Sequence, residues 1–179
     1  MHYSAVINFW FSPETQPYWF AKSSEFDQQL RERFSAVCTQ ARQGELWTWR
    51  NTAEGRLAEI IVLDQFSRNL FRDTPLAFAQ DLVALVLAQE SITLRLDLQL
   101  NLEQRAFLYL PFMHSESKLI HQQALVLFEN LAHPVSLDFE KKHKDIIDRF
   151  GRYPHRNAIL GRTSTAEELA FLTQTNSQF

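Results

Sequence analysis

The sequence predicts an all-α fold of about eight helices, arranged as antiparallel pairs stacked in a curved layer. Three observations carry that expectation. Apolar residues recur at intervals of three and four along most of the chain, and strict alternation is confined to residues 92–100. Only 4 glycines occur, too few for the many tight turns of a sheet sandwich, whereas 15 Phe and 4 Trp supply bulky filling for a core. Helix starts are marked by Ser, Asn or Thr followed three residues later by an acidic residue, at Ser24/Asp27, Asn51/Glu54 and Thr165/Glu168.

Taken in order, residues 5–11 (AVINFWF) predict a short helix ending before Ser12 and Pro13, because the residue before proline is biased away from helix. The aromatic clusters at 9–11 and 18–20 read as a lid on one end of the core. Phe26, Leu30, Phe34, Val37, Cys38 and Ala41 then give a helix that starts at Ser24 and stops at Gly44. A second start at Asn51 opens the central helix, which should run to about Arg72. Asp73-Thr74-Pro75 stops it and restarts the next helix, whose inward stripe is expected at Leu76, Ala79, Leu82, Val83 and Val86. Residues 92–100 (ITLRLDLQL) alternate as a strand does, yet no second strand is present to pair with them, so they read as an extended connector. Asn101 caps a helix that should kink or break near Pro111. Further helices are predicted over 119–131, from Phe139 to a stop at Gly151, and from Thr165 to about Leu172, with residues 173–179 frayed.

At 179 residues the chain suits one domain, 1–179, without a linker or composition shift to divide it. The net charge of -3 gives no general attraction to nucleic acid. A lone cysteine, Cys38, excludes an internal disulfide and a multi-cysteine metal cluster. The longest apolar run, 82–88, is far shorter than the roughly 20 residues of a membrane span, and no secretory pattern opens the chain. The expectation is a cytoplasmic protein without membrane or nucleic-acid partners.

Residues 56–72, RLAEIIVLDQFSRNLFR, organise the rest. The first half is apolar around most of the helical circumference, as in a buried helix. The second half places Asp64, Gln65, Arg68, Asn69 and Arg72 at spacings that suggest one shared side. Polar groups continuing a core helix need partners, either other chain segments or a ligand. Two more stretches have the same polar character with apolar flanks. Residues 110–116 bring His114, Ser115 and Glu116 after a proline; a histidine near a carboxylate suits acid–base work, so His114 and Glu116 are the catalytic candidates. Their spacing matches no standard metal motif, and neither metal nor cofactor is expected. Residues 150–157 offer Arg152, His155, Arg156 and Asn157, with Arg149 before and Arg162 after; arginine forks match carboxylate and phosphate geometry. The alternative is that these arginines pair internally with Asp64, Glu116, Asp145 and Asp148.

On FWF at 9–11, LDQFSRN at 63–69, YLPFMHSE at 109–116 and HKDIIDRFGRYPHRNAILGR at 143–162, followed by ST and EE, the chain resembles the bacterial proteins grouped as domain of unknown function 924. The resemblance spans nearly the whole chain and implies a tetratricopeptide-like helical layer. It supplies no reaction. Residues 92–100 are the place where the chain departs from an ordinary inter-helix loop.

The leading functional expectation is a helical binding module that presents Asp64, Gln65, Arg68, Asn69, His114, Glu116, Arg152, His155 and Arg156 to a small anionic molecule or a peptide carboxylate. One rival is a hydrolase with His114 or Glu116 as base. The other is a scaffold whose polar residues form only internal networks.

Overall fold

Among the described residues, four helices begin at a side-chain oxygen that accepts from an otherwise unpaired backbone N–H group. The computed structural model of the protein describes residues 1–175; of the tail expected to fray, the last four residues lie outside the described ones. Eight α-helices occur among the described residues. They are α1 (Ser4–Trp10), α2 (Ser24–Arg42), α3 (Ala53–Ile61), α4 (Asp81–Thr93), α5 (Leu102–Met113), α6 (Lys118–Leu131), α7 (Pro134–Phe150) and α8 (Ala166–Leu172). Helix α3 does not stop at Ile61. It widens into one π turn, Val62–Phe66, and resumes as Ser67–Leu70, so the predicted central helix is one rod with a wide turn inside it.

Two caps differ by one residue from the spacing that announced them. Ser23, not Ser24, accepts from the Phe26 N–H at 3.2 Å, and Thr52, not Asn51, accepts from the Gly55 N–H at 3.0 Å. Full capping boxes form at Asn101/Gln104 and Thr165/Glu168. Gly151, at φ 70°, ends α7 in the left-handed conformation that costs glycine least.

Helix α3 lies at the centre of the packing, against α1, α4 and α5, and its later half lies against α2. Leu57, Ile60, Ile61, Leu63 and Phe66 are fully buried there, together with Trp10 and Phe34. Each such side chain contributes roughly 1.5–3 kcal/mol by leaving water. Helix α5 packs on α6 and α6 on α7, joined by short loops. The aromatic cluster at 9–11 belongs to the core: Trp10 is buried, and Phe11 and Trp19 meet Phe107 edge-on at 5.5 and 4.7 Å. Phe20, from the second cluster, stays largely in solvent.

Three local expectations are corrected. The inward stripe of α4 is Ala84, Leu85, Leu87, Ala88 and Ser91, while Leu82, Val83 and Val86 are exposed. Residues 82–88 are apolar at every position, so periodicity selects no face, and the helix begins at Asp81 instead of Pro75. Residues 92–100 are not extended. They finish α4, reverse at Arg95 (φ 57°) and make a 3-10 turn at Asp97–Gln99, with the backbone donors of Arg95 and Leu96 bonded to Ile92 and Ser91. Helix α5 runs through Pro111 without a break. The proline stands in the last turn, where its missing N–H costs a single bond.

Candidate functional site

The π turn carries the first part of the site. It buries all five of its residues, Asp64 among them without any exposure. Asp64 Oδ1 accepts from His114 Nδ1 at 2.8 Å and forms an ion pair with the Arg68 guanidinium 2.9 Å away, and Gln65 donates to Oδ2. His114 is the residue that closes α5, so the carboxylate ties the middle of α3 to the end of α5. The Arg68 fork then reaches Asp81, at the start of α4, with two bonds of 2.9 Å, the bidentate geometry that a carboxylate prefers.

Asp81 accepts from a second arginine as well. Arg156, from the 3-10 turn Pro154–Arg156, approaches Asp81 Oδ2 at 3.2 Å. Its guanidinium sits 4.6 Å from the ring centres of both Phe78 and Tyr153. Arg156 is 7% exposed and its Nε is buried without a hydrogen-bond partner. Beside it His155 also has a buried ring nitrogen, Nδ1, without a partner. Glu116 is held by Arg162 through bonds of 2.6 and 2.9 Å and by the Tyr153 N–H at 2.8 Å.

Not every candidate joins this cluster. Asn69 and Arg72 turn to α2, where both bind Asp27 at 2.7–2.8 Å. The wide turn and the end of the helix at Leu70 divide the polar residues of the central helix between two sides, where the spacing suggested one. Arg152 binds Glu168 of the α8 capping box with bonds of 2.6 and 2.8 Å. Residues that the sequence reading did not single out are Asp81 and Phe78. Nothing local distinguishes Asp81 beyond an acid at the start of a helix, a position favoured by the helix dipole.

Electrostatics follow from this crowding. Burial alone would raise the Asp64 carboxyl, but Arg68 and His114 outweigh it and hold the group well below the ordinary carboxylate range. Burial, joined by the charge of Arg68, pushes His114 below its ordinary value despite Asp64. Burial and Arg156 bring His155 down to about 4. Burial and the neighbouring Arg68 lower Arg156, against the attraction of Asp81. The histidines of the rim are therefore neutral near pH 7, while Asp64 and Arg68 stay charged. Among the described residues no group of three or more His, Cys, Asp and Glu is placed to hold a metal ion. A separate apolar groove of about 460 Å³ opens elsewhere, over Ile92, Phe112, Leu119 and Val126.

Fold and cluster together define an all-helical protein with a half-buried arginine, carboxylate and histidine network where the central helix meets the ends of its neighbours. By its match over residues 6–176, the chain belongs to the bacterial family of proteins of unknown function designated DUF924. It is also similar to a solved structure of a protein of unknown function from Agrobacterium tumefaciens, with 37% identity, 97% of each chain covered and a TM-score of 0.91. No curated protein matches the sequence.

Proposed function

We propose that this cluster binds a small anionic molecule or a peptide carboxylate, within a cytoplasmic, tetratricopeptide-like helical layer. Arg156 carries the reading. A guanidinium has five N–H donors, and this one, nearly buried between two aromatic rings, makes one bond of 3.2 Å and leaves its Nε unmatched. A buried donor without a partner costs about 1–3 kcal/mol, which an incoming carboxylate would recover. Arg68 adds a second cation across Asp81, and His114 supplies a neutral ring at the edge of the same cluster.

Calorimetric titration with succinate and with N-acetyl-glycyl-glycine tests the proposal. Wild type should bind at least one of the two, Arg156→Lys more weakly, and Arg156→Ala not measurably. Equal binding by wild type and Arg156→Ala removes the site.

One observation favours the scaffold reading instead: Asp64, Arg68 and Glu116 already have internal partners on each charged end. On that reading Asp64→Asn lowers stability and no anion binds.

A further inference from the structure

We propose that His114 is the general base of a hydrolytic site that cleaves an ester bond in a carboxylate-bearing substrate anchored by Arg156. The inference rests on the anion-binding reading above and adds a reaction to it. Its basis is the way the ring of His114 is held. An ionised carboxylate can only accept, so the 2.8 Å contact with Asp64 places the imidazole proton on Nδ1 and leaves the lone pair on Nε2. Asp64 is buried and also bound by Arg68 and Gln65, so it cannot swing away from the ring. The His114 side chain keeps 15% exposure, so its second nitrogen is turned to the edge of the network.

The charges around it favour a monoanion. Arg68 and Arg156 face Asp64 and Asp81, two cations against two anions, with His114 and His155 neutral. A doubly charged phosphate would find no net positive charge there, whereas one carboxylate needs only the unfilled donors of Arg156.

In the reaction a water molecule gives a proton to His114 Nε2 as its oxygen bonds to the ester carbonyl carbon. The carbonyl oxygen takes the electron pair of the opened double bond. The pair then returns, the carbon–oxygen bond to the alcohol breaks, and the departing oxygen collects the proton from Nε2. The products are a carboxylic acid and an alcohol, and the histidine is neutral again. Asp64 is a positioning residue: it fixes the tautomer and stabilises the transient imidazolium. Groups that set the titration of His114 are Asp64 and Arg68 on the central helix, Asp81 on α4, His155 on the 3-10 turn, and His143 on α7.

The test uses mono-4-nitrophenyl succinate, with the neutral 4-nitrophenyl propionate as control and two monoanions, succinamate and N-acetyl-glycyl-glycine, as binding probes. Wild type should hydrolyse the succinate ester, and His114→Asn should lose about 100-fold or more of the rate. The asparagine amide still donates to Asp64 and Arg156 is untouched, so the variant should fold and still bind a carboxylate probe. The wild-type rate should be level from pH 8 to below 6.5 and fall only in more acid solution; Asp64→Asn should move that fall to still lower pH, a shift that mere loss of packing would not give. Hydrolysis undiminished in His114→Asn, or none by a wild type that binds a carboxylate probe, overturns the catalytic inference and leaves the binding site standing. A wild type that binds neither the ester nor succinamate, succinate or N-acetyl-glycyl-glycine overturns both.

Discussion

Two histidine–carboxylate pairs stand on either side of Ser115, and their difference shows what makes such a pair structural. His121 Nδ1 meets Glu140 Oε1 at 2.8 Å, the same distance as His114 Nδ1 to Asp64. Around His121, however, the second nitrogen is also taken. Nε2 lies 2.9 Å from the Ser115 carbonyl and 3.1 Å from the Tyr153 hydroxyl, whose own proton goes to the Met113 carbonyl. Neither His121 nor Glu140 has any exposed side-chain surface. Burial raises the Glu140 carboxyl, against the pull of His121. With partners at both ring nitrogens, this pair is sealed from solvent and ties α6, α7 and the end of α5 together. At His114 the carboxylate is equally buried, but the ring is at the rim with one nitrogen uncommitted. Identical contacts through Nδ1 therefore have different uses, decided by what the other nitrogen meets.

The strongest way to break this contrast is to truncate the sealed pair. His121→Ala should destabilise the protein by about 3–5 kcal/mol, since it leaves a buried carboxyl without its partner. Urea unfolding measures it, and a loss near that of His114→Asn, which should stay within about 1 kcal/mol, would erase the distinction between the two pairs.

Acid should weaken the fold next. His143 is held down to about 3 by burial, against its bond to the Phe139 carbonyl, and His155 to about 4. Both bind a proton more readily unfolded, near the ordinary histidine value, so their contribution is complete above about pH 6.5 and is lost as the pH falls toward 4 and 3. His143 alone should cost about 1.4 kcal/mol per pH unit over that window. Glu140 works the other way: its raised carboxyl gains relative to the unfolded chain as the pH falls toward the ordinary glutamate value. Melting temperature recorded between pH 7.5 and 5 should already decline, and the decline should be shallower in His143→Phe. A decline no shallower in His143→Phe than in wild type would mean that His143 takes up its proton as readily in the fold as in the unfolded chain.

The smallest effect separates the scaffold from the site. Ser23→Ala should cost about 1 kcal/mol as a lost cap, and Ser24→Ala only a few tenths. Thermal denaturation of the two variants distinguishes them.

Sequence alone carried the helical class and most boundaries, because caps and periodicity are local signals. Thr165 with Glu168, Asn101 and Gly151 acted where they stand, whereas Pro75 opens only a 3-10 turn ahead of α4. Long-range features were illegible for a physical reason. Asp81 is one acid beside a wholly apolar run, and only folding brings Arg68 and Arg156 to it from 13 and 75 residues away. The face of α4 was hidden because every residue of 82–88 is apolar. For residues 92–100, alternation imitated a strand although the backbone bonds are those of turns. Asp64, Arg68 and His114 were legible as candidates and stand in contact; the separation of Asn69, Arg72 and Arg152 from them depended on partners that no spacing reveals.

The wide turn at Val62–Phe66 holds about one residue more than an ordinary α turn, so the central helix carries a spare residue at that point. Deleting one residue there would close the turn into ordinary α-helix and leave Arg68 and Arg72 facing roughly the directions they face now. A deletion one turn earlier, within Ala53–Ile61, would instead swing everything beyond it by about 100°, and Arg68 would lose Asp81 and Arg72 would lose Asp27 in the same event. Shortening is therefore tolerated by the rest of the rod only where the backbone is already widened, which is also where Asp64 sits.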